Sequence, residues 1–448
     1  MSNFRPIDRQ TGFLLPPSVD EWLPEKHLAR FVVEVIDGLD LRVMRGSYRG
    51  SGSARRRCCW ASWFMATLRG CSRAASWSGR AMTRWRSASS RRTSIPITTR
   101  SRRSGAGFSR RSRVCSSRCW RWRARWACSR WARDGTKIHA NASRHSALSY
   151  EHAGKIEAQL KVEVAELLAK AEAADRADLP DGLSIPDELA RREERLAKLA
   201  EARAKIEARA QERFDREQAE YRAKLAARDA KAAATGRKPR GKSPQPPVEG
   251  PLPTDQINLT DEQSRIMPVA GGGFEQCYNA QAVVAAGSLL VVAADVVQAA
   301  NDKRQLSPML DKLATLPEDL GQPETLLADT GYFSAANVET CQTAGIAPLI
   351  ALGREAHHPS LSERFAEAPS APDDPTAVEA MAHRLKTLEG RKLYAQRKHI
   401  PEPVFGIIKS VLGFRQFLLR GLDHVRGEWN LVTMAWNLKR MFVLSPAG

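Results

Sequence analysis

Apolar residues first recur at helical spacing in WLPEKHLARFVVEVIDGLDL. Leu28, Phe31, Val32, Val35, Ile36 and Leu39 fall on one stripe there, with Pro24 near its start. The spacing predicts an amphipathic helix within an N-terminal helical region over 1–52. The pattern then disappears, and from about 53 to 133 no helical or strand period can be drawn. It returns in DGTKIHANAS, where Ile138, Ala140 and Ala142 alternate with polar residues and predict a strand within 134–149. From Tyr150 helical spacing resumes in a sequence dominated by Ala, Glu, Lys, Arg and Leu. Ile156, Leu160, Val164 and Leu167 make one stripe, and Leu189, Leu196, Leu199, Ile206 and Phe214 make another. DLPDGLSIPDE breaks the two apart, which predicts an antiparallel helical hairpin over 150–233, read as a spacer or protein contact. ATGRKPRGKSPQPPVEGPLP follows, and 234–262 reads as a flexible, basic linker.

Over 263–448 strand and helix patterns are mixed. CYNAQAVVAAGSLLVVAADVV fits two strands joined through Gly287 and Ser288. SPMLDKLATL reads as a helix, PETLLADTGYF as a strand ending in a turn, and GIAPLIALG as a further strand. A Pro-rich loop at about 355–376 precedes helical stretches to the C-terminus. This order predicts an α/β domain with one central sheet flanked by helices. The longest apolar run, Ala280 to Ala300, contains Gly287, Ser288, Asp295 and Gln298, so it reads as a hairpin rather than a membrane span. The opening MSNFRPIDRQ lacks the apolar segment of a signal peptide, so a cytoplasmic protein with reduced thiols is expected.

Charge changes this picture only locally. The formal net charge is +20 and the pI is near 10.0, values that ordinarily point to nucleic acid through release of phosphate counterions. Ser51–Arg133 holds 22 Arg and 17 Ser with no Lys, Asp, Glu or His, so the remainder is close to neutral. The same block holds six of the eight Cys and eight of the eleven Trp, with no C-x-x-C spacing for zinc.

Three acids stand out by context. Asp134 opens the alternating strand, Asp329 ends an apolar strand in LLADTGYF, and Glu402 lies on or just before a helix in YAQRKHIPEPVFGIIK. The tip of a strand is where an α/β sheet presents ligands, although an Asp there also serves as a turn or cap residue. Asp302 in AANDKRQL is a further acid, read as a helix cap. Taken together, DGTKIHANASRH, YNAQAVV, ADTGYFS and YAQRKHIPEPVFGIIK resemble the DDE-domain transposases of bacterial insertion sequences, of the type with a Y-R-E-K signature. The resemblance covers about 1–50 and 134–448. Two residues separate Tyr394 from Arg397, four separate Arg397 from Glu402 and six separate Glu402 from Lys409; the middle gap is one longer than the commonest form.

The resemblance implies an RNase H-like mixed sheet flanked by helices, with the helical hairpin as a long insertion after the first strand. It implies Asp134, Asp329 and Glu402 as catalytic and metal-binding carboxylates for two Mg²⁺ ions, and Tyr394, Arg397 and Lys409 as DNA-binding residues. Two hard cations would activate the nucleophile and stabilise the leaving oxygen in strand cleavage and strand transfer. The implied partner is double-stranded DNA, both terminal inverted repeats and target, acted on by a homo-oligomer at the nucleoid and not at a membrane. Two other readings remain: a non-catalytic nucleic-acid-binding or coiled-coil protein, and a nuclease of the same fold.

In this family the region before the first catalytic Asp is helical and carries a stretch resembling H-P-D-H-D-T-I-A-x-F-R-R-R. Here that place holds RTSIPITTRSRRSGAGF, residues 92–108. One permissible set of codons for this stretch, read from the third base, gives N-I-H-P-D-H-D-T-I-A-T-F-R-R-R-F. A GC-rich gene read out of frame loses Asp, Glu and Lys and gains Arg, Ser, Ala, Cys and Trp, as seen here. About 53–132 therefore reads as a frame-shifted, disordered segment that disrupts the N-terminal DNA-binding region and impairs the product. The contrasting reading is a genuine Arg/Ser-rich arm for nucleic acid, against which the Trp and Cys content counts.

Overall fold

The computed structural model describes residues 24, 27–38, 130–174, 185–237, 241–316, 323–353, 370 and 372–445. Most of the arginine block (53–129), Leu39 of the first stripe and most of the Pro-rich loop near 355 lie outside them. The chain divides into two compact units, Met1–Asn141 with Met267–Gly448, and Ala142–Ile266.

The first unit is built on a mixed sheet. Its strands are β1 (Arg130–His139), β4 (Arg265–Pro268), β5 (Phe274–Ala285), β6 (Val291–Val297), β7 (Thr325–Ala328) and β8 (Ala347–Ile350); β2 and β3 lie in the other unit. The order is β4–β5–β1–β7–β8, with β6 also paired to β5. β5 runs antiparallel to both β6 and β1, whereas β1, β7 and β8 run parallel. The hairpin expected through Gly287 and Ser288 is present, and Gly287 has φ 79°, the left-handed conformation that a glycine adopts without a Cβ clash. β1 begins at Arg130, four residues before the expected boundary. The Arg/Ser-rich composition had hidden Trp131 and Ala132, whose side chains enter the core.

Helices cover both faces, as the mixed pattern leads one to expect. In chain order they are α1 (Leu28–Gly38), α4 (Leu306–Ala314), α5 (Ala335–Thr343), α6 (Ala377–Lys386), α7 (Leu388–Ala395), α8 (Pro401–Ser410) and α9 (Leu422–Leu444), while α2 and α3 belong to the other unit. One face buries Trp131, Val283, Leu306, Leu326, Ala328, Tyr332, Val338, Ile350 and Met381 against α4, α5 and α6. α8 and α9 supply Phe405 and Trp429, stacked with centroids 6.2 Å apart, and Phe31 of α1 meets Phe442 of α9 at 5.5 Å. Pro401 occupies the first turn of α8, where a missing N–H costs nothing.

The second unit holds β2 (Ala147–Ser149), paired antiparallel to β3 (Gln256–Asn258), with α2 (Tyr150–Ala174) and α3 (Ile185–Thr235). Leu160, Leu199, Ala202 and Ile206 close its apolar seam with Leu148, Ala153 and Ile257. Arg192 pairs with Glu163 at 2.9 Å and Arg203 pairs with Glu157 across the two helices. The stretch expected to be a flexible linker is instead tied to α3 where it is described. Arg228 donates to the Gly241 carbonyl (2.9 Å), and Arg213 donates to the Gly250 carbonyl (3.0 Å) and to Asp255 (2.7 Å). Arginines satisfy carbonyls that a Pro-rich segment cannot pair with itself.

Candidate active site

Two of the three singled-out acids come from adjacent parallel strands. The last registered pair of β1 and β7 is Ala132 with Leu327, and two residues further on stand Asp134 and Asp329. Asp329 keeps an extended backbone (φ −82°, ψ 177°) just past the end of β7, and its charge acts on Asp134. Asp134 Oδ1 accepts the Gly135 N–H at 2.8 Å, and Asp329 Oδ1 caps the turn Thr330–Tyr332 by accepting the Gly331 N–H at 2.9 Å. Burial pushes the Asp134 carboxyl up to about 7, aided by the charges of Asp329 and Asp302; the Gly135 N–H and the Arg397 guanidinium act against this.

The third acid stands apart. Glu402, in the first turn of α8, keeps 50% of its side chain exposed and pairs with Arg397, Oε1 to Nη2 3.5 Å. Arg397 is itself 13% exposed and also acts on Asp134, so one guanidinium influences both carboxylates. Tyr394 sits half-buried on the last turn of α7. Lys409 donates to Thr136 Oγ1 (2.5 Å) and to the Lys137 carbonyl (3.0 Å), fastening α8 to β1, and burial depresses its pKa.

A buried polar network beside β1 escaped the sequence reading. Gln281 lies opposite Gly135 on β5, and Asn279 lies opposite Lys137. Asp302 Oδ1 accepts from Asn279 Nδ2 (2.7 Å) and Gln281 Nε2 (2.6 Å), while Gln281 Oε1 accepts from the Tyr332 hydroxyl (2.5 Å) and Arg133 Nη2 (3.2 Å). The helix-cap reading of Asp302 is corrected: its side chain turns to β5, and the residue at the start of α4 is Gln305, without a side-chain cap. Only glycine fits at 135, because a Cβ there would stand 2.2 Å from Gln281 Nε2 and 2.9 Å from Asp302 Oδ1. Lys137 lies among the same acids, with burial lowering its pKa and Asp302, Asp134 and Asp329 opposing that. The available signal was an Asn and a Gln two apart inside an otherwise apolar strand, since buried amides must find partners.

In chemistry the donor set fits a hard divalent cation: carboxylate oxygens, one of them brought by burial and by neighbouring negative charge to titrate near neutral pH. In position the expected triad is not assembled. Among the described residues no group of three His, Cys, Asp or Glu stands close enough to hold a metal ion. Glu402 is instead ion-paired with Arg397.

Strand order and paired aspartates together define a class: a mixed α/β sheet flanked by helices, compatible with an RNase H-like DDE fold. Residues 244–438 match the family described as transposase DDE domain. Asp329, Glu402, Arg397, Tyr394 and Lys409 lie inside the matched residues, whereas Asp134 precedes them. Such domains act on DNA and generally use divalent metal ions. No curated protein and no solved structure matches the chain. No helix among the described residues is long and apolar enough to cross a membrane.

Proposed function

We propose that this chain is an insertion-sequence transposase that cleaves DNA at transposon ends and transfers the freed 3′ ends to a target, working as a homo-oligomer at the nucleoid. The observation that carries this reading is the nearness of Asp134 on β1 to Asp329 just past the end of the adjacent parallel strand β7, in a chain of which residues 244–438 match the transposase DDE domain family. Asp134 and Asp329, joined by Glu402, would hold two Mg²⁺ ions. Bound there, the ions supply positive charge to the attacking water or 3′-hydroxyl and to the leaving oxygen.

Asp134, poised near neutrality, gives up its proton readily once opposite charge is nearby. Arg397, released from Glu402, turns to a non-bridging phosphate oxygen through charge-assisted hydrogen bonds. Lys409 holds α8 against β1 with two of its donors and keeps a third for the DNA backbone. Tyr394 orients the scissile strand or packs beside it. In the same reading 53–132 is translated out of frame, and the product is impaired by the loss of its DNA-binding region.

The test is nicking of a supercoiled plasmid carrying the DNA that flanks the gene, with Mg²⁺ or Mn²⁺. Both the chain as it stands and a frame-restored chain are assayed. Metal-dependent cleavage is expected in the restored chain, with loss of more than about a hundred-fold in Asp134→Ala and Glu402→Ala while DNA binding persists. No cleavage after restoration, or cleavage that ignores both substitutions, would overturn the reading.

A further inference from the structure

Asp302 has a position that a loop residue or helix cap does not need. One oxygen is saturated by two amides from the buried strand β5, Asn279 Nδ2 at 2.7 Å and Gln281 Nε2 at 2.6 Å. These amides have no freedom to move away. Gln281 is held in turn by the Tyr332 hydroxyl, and Asn279 Nδ2 also reaches the Ala299 carbonyl at 3.0 Å. The carboxylate so fixed lies against two glycines. A Cβ on Gly135 would be 2.9 Å from Asp302 Oδ1, and one on Gly331 would be 3.8 Å from Oδ2. The N–H of Gly135 is the donor to Asp134, and the N–H of Gly331 is the donor to Asp329. A single clamped acid therefore borders both glycines whose N–H groups hold Asp134 and Asp329.

We propose that Asp302 is a positioning residue for the cation site of Asp134 and Asp329, acting from outside the ligand set through Gly135, Gly331 and its own fixed negative charge. The proposal rests on the reading of those two aspartates as cation ligands. Its physical basis is twofold. A carboxylate that borders the backbone of two ligands fixes their direction, and a second-layer negative charge raises the affinity of the site for a cation. Asp302 also lies beside Lys137, so its charge helps keep that ammonium at the edge of the site.

Mn²⁺ binding to the full chain, followed by electron paramagnetic resonance without DNA, tests the proposal, with a thermal melt for each variant. Asp302→Asn keeps the shape and one oxygen for the two amide donors, and removes only the charge. It is expected to bind Mn²⁺ about ten-fold or more weakly with an unchanged melting temperature, as loss of an outer partner does in other metal sites. Asp302→Ala removes the charge and the anchor, and is expected to lose affinity and melting temperature together. Wild-type affinity in a folded Asp302→Asn, with only Asp302→Ala impaired, would mean that the residue is a structural anchor and would overturn the proposal. If Asp302→Asn does not fold, Asn279→Ser decides: it loosens one clamp and keeps the acid, and wild-type affinity there overturns the proposal equally. Failure of the wild type to bind Mn²⁺, or undiminished binding in Asp134→Asn, sinks the reading of the aspartates themselves and this inference with it.

Discussion

Glu428 lies in the middle of α9 with 5% of its surface exposed, and its carboxylate accepts the backbone N–H groups of Leu418 and Leu419 at 3.1 Å. Burial outweighs those bonds and pushes its pKa up to about 7. The folded state therefore binds a proton that the unfolded chain releases near pH 4.5. Stability from this group is fully present below that pH and is lost as pH rises through about 7. Two to three pKa steps correspond to about 3 kcal/mol, an upper figure once the flanking hydrogen bonds relax. Glu428→Gln keeps an acceptor for the loop and cannot ionise. It is expected to melt like the wild type near pH 4.5 and to gain about 1–3 kcal/mol at pH 8, a rise of several degrees in a thermal melt. An unchanged pH dependence would show that the charge is better solvated than its surroundings indicate.

At the scale of elements, periodicity carried most of the information. The stripe of Ile156 and Leu160 against Leu199 and Ile206 named the helices of the second unit. Alternation at Ile138 and Ala140 named β1, and the Gly287–Ser288 turn joined β5 to β6. What could not be read were features that depend on partners distant in sequence. The parallel pairing of Ala132 with Leu327 brings Asp134 near Asp329, and no local pattern encodes such a pairing across almost two hundred residues. Asp302 looked like a cap because Asp before a helix usually is one, and only its cross-chain bonds to Asn279 and Gln281 distinguish it. The Arg397–Glu402 pair was equally hidden, since signature spacing fixes neither rotamer. In the second unit the apolar seam is thin and α3 is otherwise charged, so single core residues matter. Ile206, 2% exposed, packs in that seam, and Ile206→Ala is expected to cost about 2–4 kcal/mol. Hydrogen exchange should then rise in α2, α3 and β3 while the sheet amides β5 to β8 stay protected. A rise spread evenly over both units would contradict the division of the chain into two compact bodies.

For the molecule as a whole, the net charge of +20 belongs to one segment, and its end reaches the core. Arg133 is 1% exposed on β1, its Nε and Nη1 have no hydrogen-bond partner, and burial lowers its pKa. One bond to Gln281 and a position 4.5 Å over the Tyr332 ring are its compensation. Burying a guanidinium so sparsely paired is costly, whereas burying an apolar side chain of similar size is not. One prediction follows from this burial and another from the frameshift proposal. Arg133→Met should raise the melting temperature by an amount equivalent to about 1–3 kcal/mol, since Gln281 Oε1 retains the Tyr332 hydroxyl. Restoring the alternative frame over 53–132 should replace the arginines with an apolar helical pattern. Helical content by circular dichroism should then increase. DNA affinity should also lose the steep salt dependence that so many arginines confer, and gain preference for the element's own ends. Stop codons in that frame, or a restored chain with unchanged helicity and the same steep salt slope, would leave the Arg/Ser-rich stretch as a genuine polycationic arm. The charge would then have to be counted as part of how the proposed transposase meets DNA.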